Sequence, residues 1–370
     1  MRFSRNLWSV LLVAGTVAVG TLVLVLSRDD AETAFIKRLD YDPLGALTVI
    51  ADESKAAKSS RSPSLDRQGV IMTAVDRAFG QDSKLTTKII GEQMQGPTRT
   101  IAIVQLVRTQ LAVGYVVRAM DTQLLISGDK TVSAGVNSAI QVASEVSRAE
   151  FPEALLWLAK LKTKEERLLA YDRLSQSFRN AYDDQRMHEL FLANQRELED
   201  WRRKDAIASI ASIRHMKGDT AGLTALREFL PESEREWVDL GMLWADAMQP
   251  RDTLMARAAK LSRARGDAIS VVIGAELKKD ALAAAGYVMS LPDELFVDAL
   301  YALGNAWRIT DIAAYAAWVR SLPPEPRREQ AIAAFVTINR GQTKPRSIAR
   351  EIAELAANPV TRERLAESVR

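Results

Sequence analysis

The residue types most often used for catalysis and metal binding are sparse in this chain. Its two histidines, His188 and His215, lack the spacing to a second histidine or carboxylate that a motif such as H-E-x-x-H provides. His188 precedes Glu189 within a helical stretch, which predicts a surface pair. His215 is predicted at a helix C-terminus, where a cation is favourable. Neither histidine is therefore predicted to be a metal ligand or a catalytic group.

Composition and motifs exclude several other kinds of chemistry. The chain has no cysteine, which excludes disulfides, thiolate catalysis, iron–sulfur clusters and cysteine zinc sites. It also lacks the glycine-rich loops of nucleotide sites and the G-x-S-x-G turn of serine hydrolases. The adjacent acids Asp183 and Asp184 are typical of a helix N-cap. The sequence therefore predicts a protein that is not an enzyme, with no catalytic, cofactor-binding or metal-binding residue.

Basic side chains form the one recurring charged pattern. They are Lys160, Lys162 and Lys164; Arg202, Arg203 and Lys204; Arg257, Lys260, Arg263 and Arg265; and Arg327 with Arg328. Clusters at equivalent positions of a repeated unit would form a stripe that contacts an acidic protein or an anionic lipid surface. Solvated helix ends paired with nearby glutamates explain the same pattern, and both interpretations stay open. The net charge of +3 is too small to indicate nucleic acid.

The elements that carry these clusters are predicted to be helical hairpins. Trp318 and Leu322 end one apolar helical stripe, and Pro323 with Pro324 stops the helix because proline lacks the backbone N–H and clashes with the preceding turn. Pro326 suits the first turn of the next helix. We call such a helix end, marked by leucine and usually followed by proline or acidic residues, a knuckle.

Knuckles recur through most of the chain. Their leucines are separated by about 30 to 37 residues, which is the spacing of stacked helical pairs. They are Leu161, Leu198, Leu230, Leu261, Leu291, Leu322 and Leu355. The sequence therefore predicts an all-α fold in which residues 68–370 form an α-solenoid of hairpins with a period of about 31 residues.

The N-terminal part predicts a membrane anchor. Leu7 to Leu26 is an apolar run without a charge, and about 20 residues match a hydrocarbon core of ~30 Å. The run is longer than a typical signal-peptide core and no good cleavage site follows it, which favours an uncleaved single-pass helix over a removed signal. The predicted organisation is an anchor over 1–30, a juxtamembrane helix and flexible linker over 31–67, and the repeat domain over 68–370.

The hairpin array from Gln68 onward resembles tetratricopeptide-like α-solenoids, although that family's Trp, Leu-Gly-Tyr, Ala, Phe and Pro pattern is not met and no functional residue carries over. An anchor followed by a helical body is also similar in layout to MamY-type membrane proteins of magnetotactic bacteria, which are associated with magnetosome positioning and membrane curvature. This second resemblance implies a cytoplasmic body. Arg2 and Arg5 before the apolar run favour a periplasmic body instead, so the side stays open.

These features predict a scaffold at the bacterial inner membrane. Stacked hairpins build an extended surface of the kind that binds peptides or domains, so we expect a protein partner held at the bilayer. The alternative is a body that itself binds anionic lipid and organises or bends the membrane.

Overall fold

The computed structural model describes residues 35, 37–56, 63–128, 132–340 and 346–369. Within these ranges the chain is all-helical and contains no strand. The predicted anchor, Leu7 to Leu26, lies outside the described residues. Among the helices that are described, none is both long and apolar enough to cross a bilayer. Contacts divide the chain into two compact units, residues 1–177 and residues 178–370.

The first unit is built from short helices. They are α1 (Pro43–Ala56), α2 (Leu65–Gln81), α3 (Ser83–Lys88), α4 (Gly96–Ala112), α5 (Val116–Gln123), α6 (Val132–Glu145), α7 (Phe151–Lys160) and α8 (Lys164–Asn180), within which the boundary falls. A π-helical turn, Ile89–Gln93, joins α3 to α4. Ala51 and Ser54 are buried in the last turns of α1. The stretch of small polar residues from Ala51 to Leu65, which the sequence predicts as the flexible linker, therefore begins inside a packed helix.

Helix α4 is the central element of the first unit. It packs against α2 and α5, and its Ile103, Leu106 and Val107 are fully buried. This apolar segment is thus a core helix of the first unit. Arg108 on the same helix is exposed, as the amphipathic pattern of a soluble helix requires.

The second unit contains the clearer hairpins. Its helices are α9 (Asp184–Asn194), α10 (Asp200–Met216), α11 (Thr220–Phe229), α12 (Glu236–Ala245), α13 (Arg251–Ala258), α14 (Arg265–Lys279), α15 (Ala281–Ser290), α16 (Asp293–Ser321), α17 (Pro326–Asn339), α18 (Arg346–Ala353) and α19 (Pro359–Ser368). Helix α16 is broken at Asp311, whose backbone is extended, with φ −157° and ψ 90°. Residues 293–321 therefore form two helices that meet at Asp311.

Every predicted knuckle leucine lies within four residues after the last residue of a helix. Leu230, Leu291 and Leu322 are each the C-cap residue and have extended backbones, with ψ of 144°, 150° and 140°. The proline that follows each of them causes this conformation, because its ring disfavours the helical region for the preceding residue. Two helices lie between successive knuckle leucines from Leu161 to Leu355 when α16 is counted as its two halves.

Aspartates begin the second helix of several hairpins. Asp183, Asp219, Asp280 and Asp311 each accept a hydrogen bond from a backbone N–H of the helix that follows, which satisfies a donor without an intrahelical partner. Of these four, the sequence pattern predicts only Asp183 as a cap. The other three aspartates stand at the same distance before a knuckle leucine, so their role as caps was predictable from the sequence.

Successive hairpins in the second unit pack closely. Helix α10 packs on α12, α12 on α14, and α14 on α16. At the first of these contacts, a Cβ added to Gly241 would lie 2.1 Å from the carbonyl oxygen of Ala208, so only glycine permits this approach. Trp307 and Trp318 pack with Tyr315 in the buried core, whereas Trp201 is 53% exposed.

Candidate interaction surfaces

Half of the predicted basic residues are engaged within the protein. The pairs, with nitrogen-to-oxygen distances, are Arg202–Glu199 at 2.6 Å, Arg203–Glu234 at 2.8 Å, Lys204–Asp267 at 2.7 Å, Arg257–Asp246 at 2.5 Å, Arg265–Asp298 at 2.9 Å and Arg327–Asp293 at 2.8 Å. The positive charge of these side chains is therefore largely balanced by neighbouring carboxylates.

Two of these arginines also donate hydrogen bonds to backbone carbonyls at knuckles. Arg203 donates to the carbonyl of Gln195 at 2.7 Å, and Arg327 donates to the carbonyl of Leu291 at 2.8 Å. Such bonds satisfy carbonyls at a helix C-terminus, which have no intrahelical partner. The Arg327 guanidinium also lies over the ring of Phe296, 4.6 Å from its centre. The structure gives both arginines a role in holding successive helices together.

The other six predicted basic residues differ from these in exposure and in pairing. Lys160, Lys162, Lys164, Lys260 and Arg263 are exposed and have no ion pair with any residue that the structure describes. Lys160 ends α7, Lys162 lies in the α7–α8 connection and Lys164 begins α8 in the first unit. Lys260 and Arg263 lie within the α13–α14 connection in the second. Arg328 is half-buried, and its Nε has no hydrogen-bond partner within the described ranges.

His188 is bonded to a buried arginine rather than to Glu189. Nη2 of Arg214 lies 3.1 Å from His188 Nδ1. Because arginine can only donate, Nδ1 accepts and the imidazole proton sits on Nε2. Burial, and then the charge of Arg214, lower the pKa of His188. Asp184 forms an ion pair with Arg214 at 3.1 Å, so the positive charge of Arg214 is balanced within this cluster.

His215 lies at the C-terminal end of α10, as predicted, and its Nε2 is 3.1 Å from Asp246. Across the described part of the chain, no three side chains of the metal-binding types are grouped so that they could hold an ion. The two histidines therefore stabilise helix contacts.

A depression of about 410 Å³ opens on the second unit between the end of α8, α10 and α12. Tyr182, in the turn before α9, is 58% exposed, and Met216 at the end of α10 is 51% exposed. Trp244 on α12 completes the apolar lining. Tyr182 has a φ of 53°, a conformation that bulky residues rarely adopt and that is enriched at functional sites.

Two buried donors line the same depression. Ser209 is only 2% exposed, and its Oγ has no hydrogen-bond partner among the described residues. Nε of Arg179 is likewise buried and unpartnered there, although Nη2 of the same side chain pairs with Asp205. Most buried polar atoms in proteins are hydrogen-bonded. An acceptor brought to this surface by another molecule would satisfy these two donors. Ser209 and Ser212, three residues apart in an Ala/Ile-rich helix, were a sequence signal for this face.

The first unit carries an apolar groove beside Lys160. Leu156 is 66% exposed on α7, and Val117 on α5 faces the same groove, which has a volume of about 100 Å³. Trp157 is buried beneath and donates to Gln123 Oε1 at 3.1 Å. The surface therefore places a large exposed aliphatic side chain one turn from Lys160, which has no ion pair with a described residue.

Comparisons of this chain with family models, with curated proteins and with solved structures find no match. The functional assignment therefore depends on the described residues and on the sequence.

Proposed function

We propose that this chain is a membrane-anchored helical-repeat scaffold that binds a protein partner and holds it at the bacterial membrane. The anchor is Leu7 to Leu26, argued from its length and apolar composition. Two helices between successive knuckles support an α-solenoid with a period of about 31 residues. Stacked hairpins of this kind offer an extended surface to peptides and domains.

The observation that carries the proposal is the depression lined by Tyr182, Met216 and Trp244. Aromatic residues and methionine are enriched in the cores of protein–protein interfaces, where they fill pockets and dominate the binding energy. The unpartnered donors of Ser209 and Arg179 suit a backbone carbonyl of the partner. A partner segment would thus bury an apolar side chain and satisfy both donors.

Site-specific photo-crosslinking in the native cells tests this proposal. The photoreactive residue p-benzoyl-phenylalanine would replace Tyr182 or Met216 in the full chain, and Ile309, which is 77% exposed and outside the depression, would be the control position. We expect one discrete adduct from the first two positions and none from the third. Equal crosslinking at all three positions, or none at any, would contradict a docking site here.

The alternative function is binding of anionic lipid by the body itself. The supporting observation is that Lys160, Lys162 and Lys164 are exposed and unpaired within the described residues, next to the exposed Leu156. Each lysine near an anionic surface contributes about 1 kcal/mol, and an exposed leucine can enter the interface.

Flotation of residues 31–370 with vesicles tests the alternative. Binding to anionic vesicles that is lost in high salt, and is weakened by Lys160→Gln, Lys162→Gln and Lys164→Gln together, would favour lipid binding because that attraction is electrostatic. Lys260→Gln with Arg263→Gln is the matched control. Tubes in the floated material would favour a membrane-organising role of the magnetosome-positioning type. No binding under either salt condition would leave the anchor as the membrane contact.

A further inference from the structure

A cavity of about 360 Å³ lies in the first unit between α2, α3, α4 and α5. None of its lining residues belongs to the depression that carries the proposed function, and it shares Asp121 with the groove beside Lys160. Neither the knuckles nor the predicted basic residues line it. Its volume is within the range of small-molecule sites.

A buried side chain in the lining of the cavity is an unsatisfied acceptor. Gln110 on α4 lines the cavity while only 2% of its surface is exposed. Its Oε1 has no hydrogen-bond partner among the residues that the structure describes. A buried side-chain oxygen without a donor is uncommon in folded proteins. A ligand that places an N–H or O–H at this point would supply the missing donor.

Two cationic side chains also belong to the lining of the cavity. Lys84 on α3 and Arg118 on α5 both line it and are exposed, and neither has an acidic partner within ion-pair distance in the described ranges. The Arg118 guanidinium is held over the ring of Tyr115, 4.8 Å from its centre. Asp121 is the single acid in the lining. Two cations against one acid attract a monoanion, whereas Asp121 opposes a second negative charge.

An aromatic side chain forms part of the lining. Phe79 on α2 is buried against the cavity, and its ring centre is 6.4 Å from that of Tyr115. Such a wall favours a planar or apolar body, because aromatic rings stack or meet edge to face at this separation. The lining therefore combines an aromatic surface with a buried acceptor and two cations.

We propose that this cavity binds a small amphipathic monoanion, which has an apolar ring with an N–H or O–H donor at one end and a carboxylate at the other. The donor bonds to Gln110 Oε1, the ring packs on Phe79, and the carboxylate lies between Lys84 and Arg118. Each part of the ligand is thus matched to a lining residue of suitable chemistry: acceptor, aromatic ring or cation.

A matched ligand series tests the proposal on the full chain. Indole-3-acetate carries the donor, the ring and the carboxylate. 1-Methylindole-3-acetate lacks the donor, and indole-3-ethanol lacks the charge. Dissociation constants would be measured by ligand-observed NMR titration. We expect saturable binding of indole-3-acetate and about a tenfold loss for each of the other two, since each loses one charge-assisted or buried hydrogen bond.

Matched variants assign the effect to this cavity. Gln110→Met keeps the side-chain size and removes the amide, so it should erase the preference for indole-3-acetate over its methylated analogue. Arg118→Gln should erase the preference for the carboxylate. Arg108→Gln is the control, because Arg108 is also exposed but does not line the cavity. A thermal midpoint of Gln110→Met at or above that of the parent chain shows that the variant folds.

The outcomes are distinct. Absence of saturable indole-3-acetate binding overturns the proposal, as does equal affinity for all three compounds. Equal weakening by Arg118→Gln and Arg108→Gln would assign the binding to general surface charge and would overturn it as well. Loss of each preference only in its own variant supports the site.

Discussion

Arg203 holds Glu234 in a two-pronged ion pair across the knuckle between α11 and α12. Its Nη2 lies 2.8 Å from both carboxylate oxygens, and its Nε lies 3.0 Å from Oε1. Both side chains are mostly buried. The same guanidinium donates to the carbonyl of Gln195 at 2.7 Å, so one residue ties three segments of the second unit together.

Replacing Arg203 with glutamine should therefore destabilise the fold. We expect the free energy of unfolding to fall by about 2–3 kcal/mol, because a mostly buried carboxylate loses its partner and a helix-end carbonyl loses its donor. Urea unfolding monitored by circular dichroism measures the change. Arg263→Gln, at an exposed position without an ion pair in the described residues, should stay within ~0.5 kcal/mol of the parent. Equal effects of both would show that the pair is not structural.

The contact between α10 and α12 depends on Gly241. Alanine there would place its Cβ 2.1 Å from the backbone oxygen of Ala208, and backbone cannot move aside as a side chain can. We expect Gly241→Ala to lower the free energy of unfolding by about 3 kcal/mol. Gly274→Ala in α14 meets no atom within 4 Å and should raise it by up to ~1 kcal/mol, because alanine favours helix. The prediction fails if the two changes have the same sign.

His188 should make stability depend on pH near neutrality. Its pKa is lowered by burial and by Arg214, so the folded state binds this proton less readily than the unfolded state, whose histidine pKa is ~6.5. The contribution is complete above pH ~6.5 and is lost as pH falls from there to the folded pKa. Unfolding free energies measured across pH 5–8 check this.

The control for this pH dependence is the second histidine. His188→Gln should flatten the decline between neutral pH and pH ~5, since no titrating imidazole then contacts Arg214. His215→Gln should keep the decline. A parent chain whose stability does not fall below pH ~6.5 would contradict the assignment, because the unfolded histidine must then bind no extra proton.

Glu236 anchors the next knuckle in the second unit. Its carboxylate accepts from the hydroxyl of Ser262 at 2.7 Å and from the backbone N–H groups of Arg263 and Ala264 at 2.8 and 3.0 Å. Burial raises the pKa of Glu236, but these hydrogen bonds lower it by more, so the net shift is downward. This stabilisation is present above pH ~4.3 and is lost as pH falls through the folded pKa.

Substitution tests that role. Glu236→Gln should cost about 1–2 kcal/mol at pH 7, because the amide accepts these bonds more weakly than a carboxylate and with one oxygen instead of two. It should also increase hydrogen exchange at residues 262–264. Glu232→Gln, on the exposed turn before α12, is the control and should change neither quantity. Unaltered exchange at 262–264 in Glu236→Gln would argue that the anchor is unimportant.

The predicted helix ends were accessible from sequence because their causes are local. Leu230, Leu291 and Leu322 adopt extended backbones because a proline follows each one. The fates of the basic residues were not accessible in this way. Arg203 and Lys160 look equivalent in the sequence, yet the first is paired with Glu234, 31 residues away, and the second is exposed without an ion pair in the described chain.

The sequence by itself determined that the body is helical and where its hairpins end, since apolar periodicity, prolines and leucines act within a few residues of where they stand. Only the tertiary structure decided which side chains those helices expose. Packing of α10 on α12 required a glycine at 241 and, in the same unit, Tyr182 and Met216 stay exposed. In the first unit, helix packing buried Gln110 in the lining of a cavity. These outcomes depend on which distant helix faces each residue, because contacts between helices are set by the whole fold and not by the local pattern.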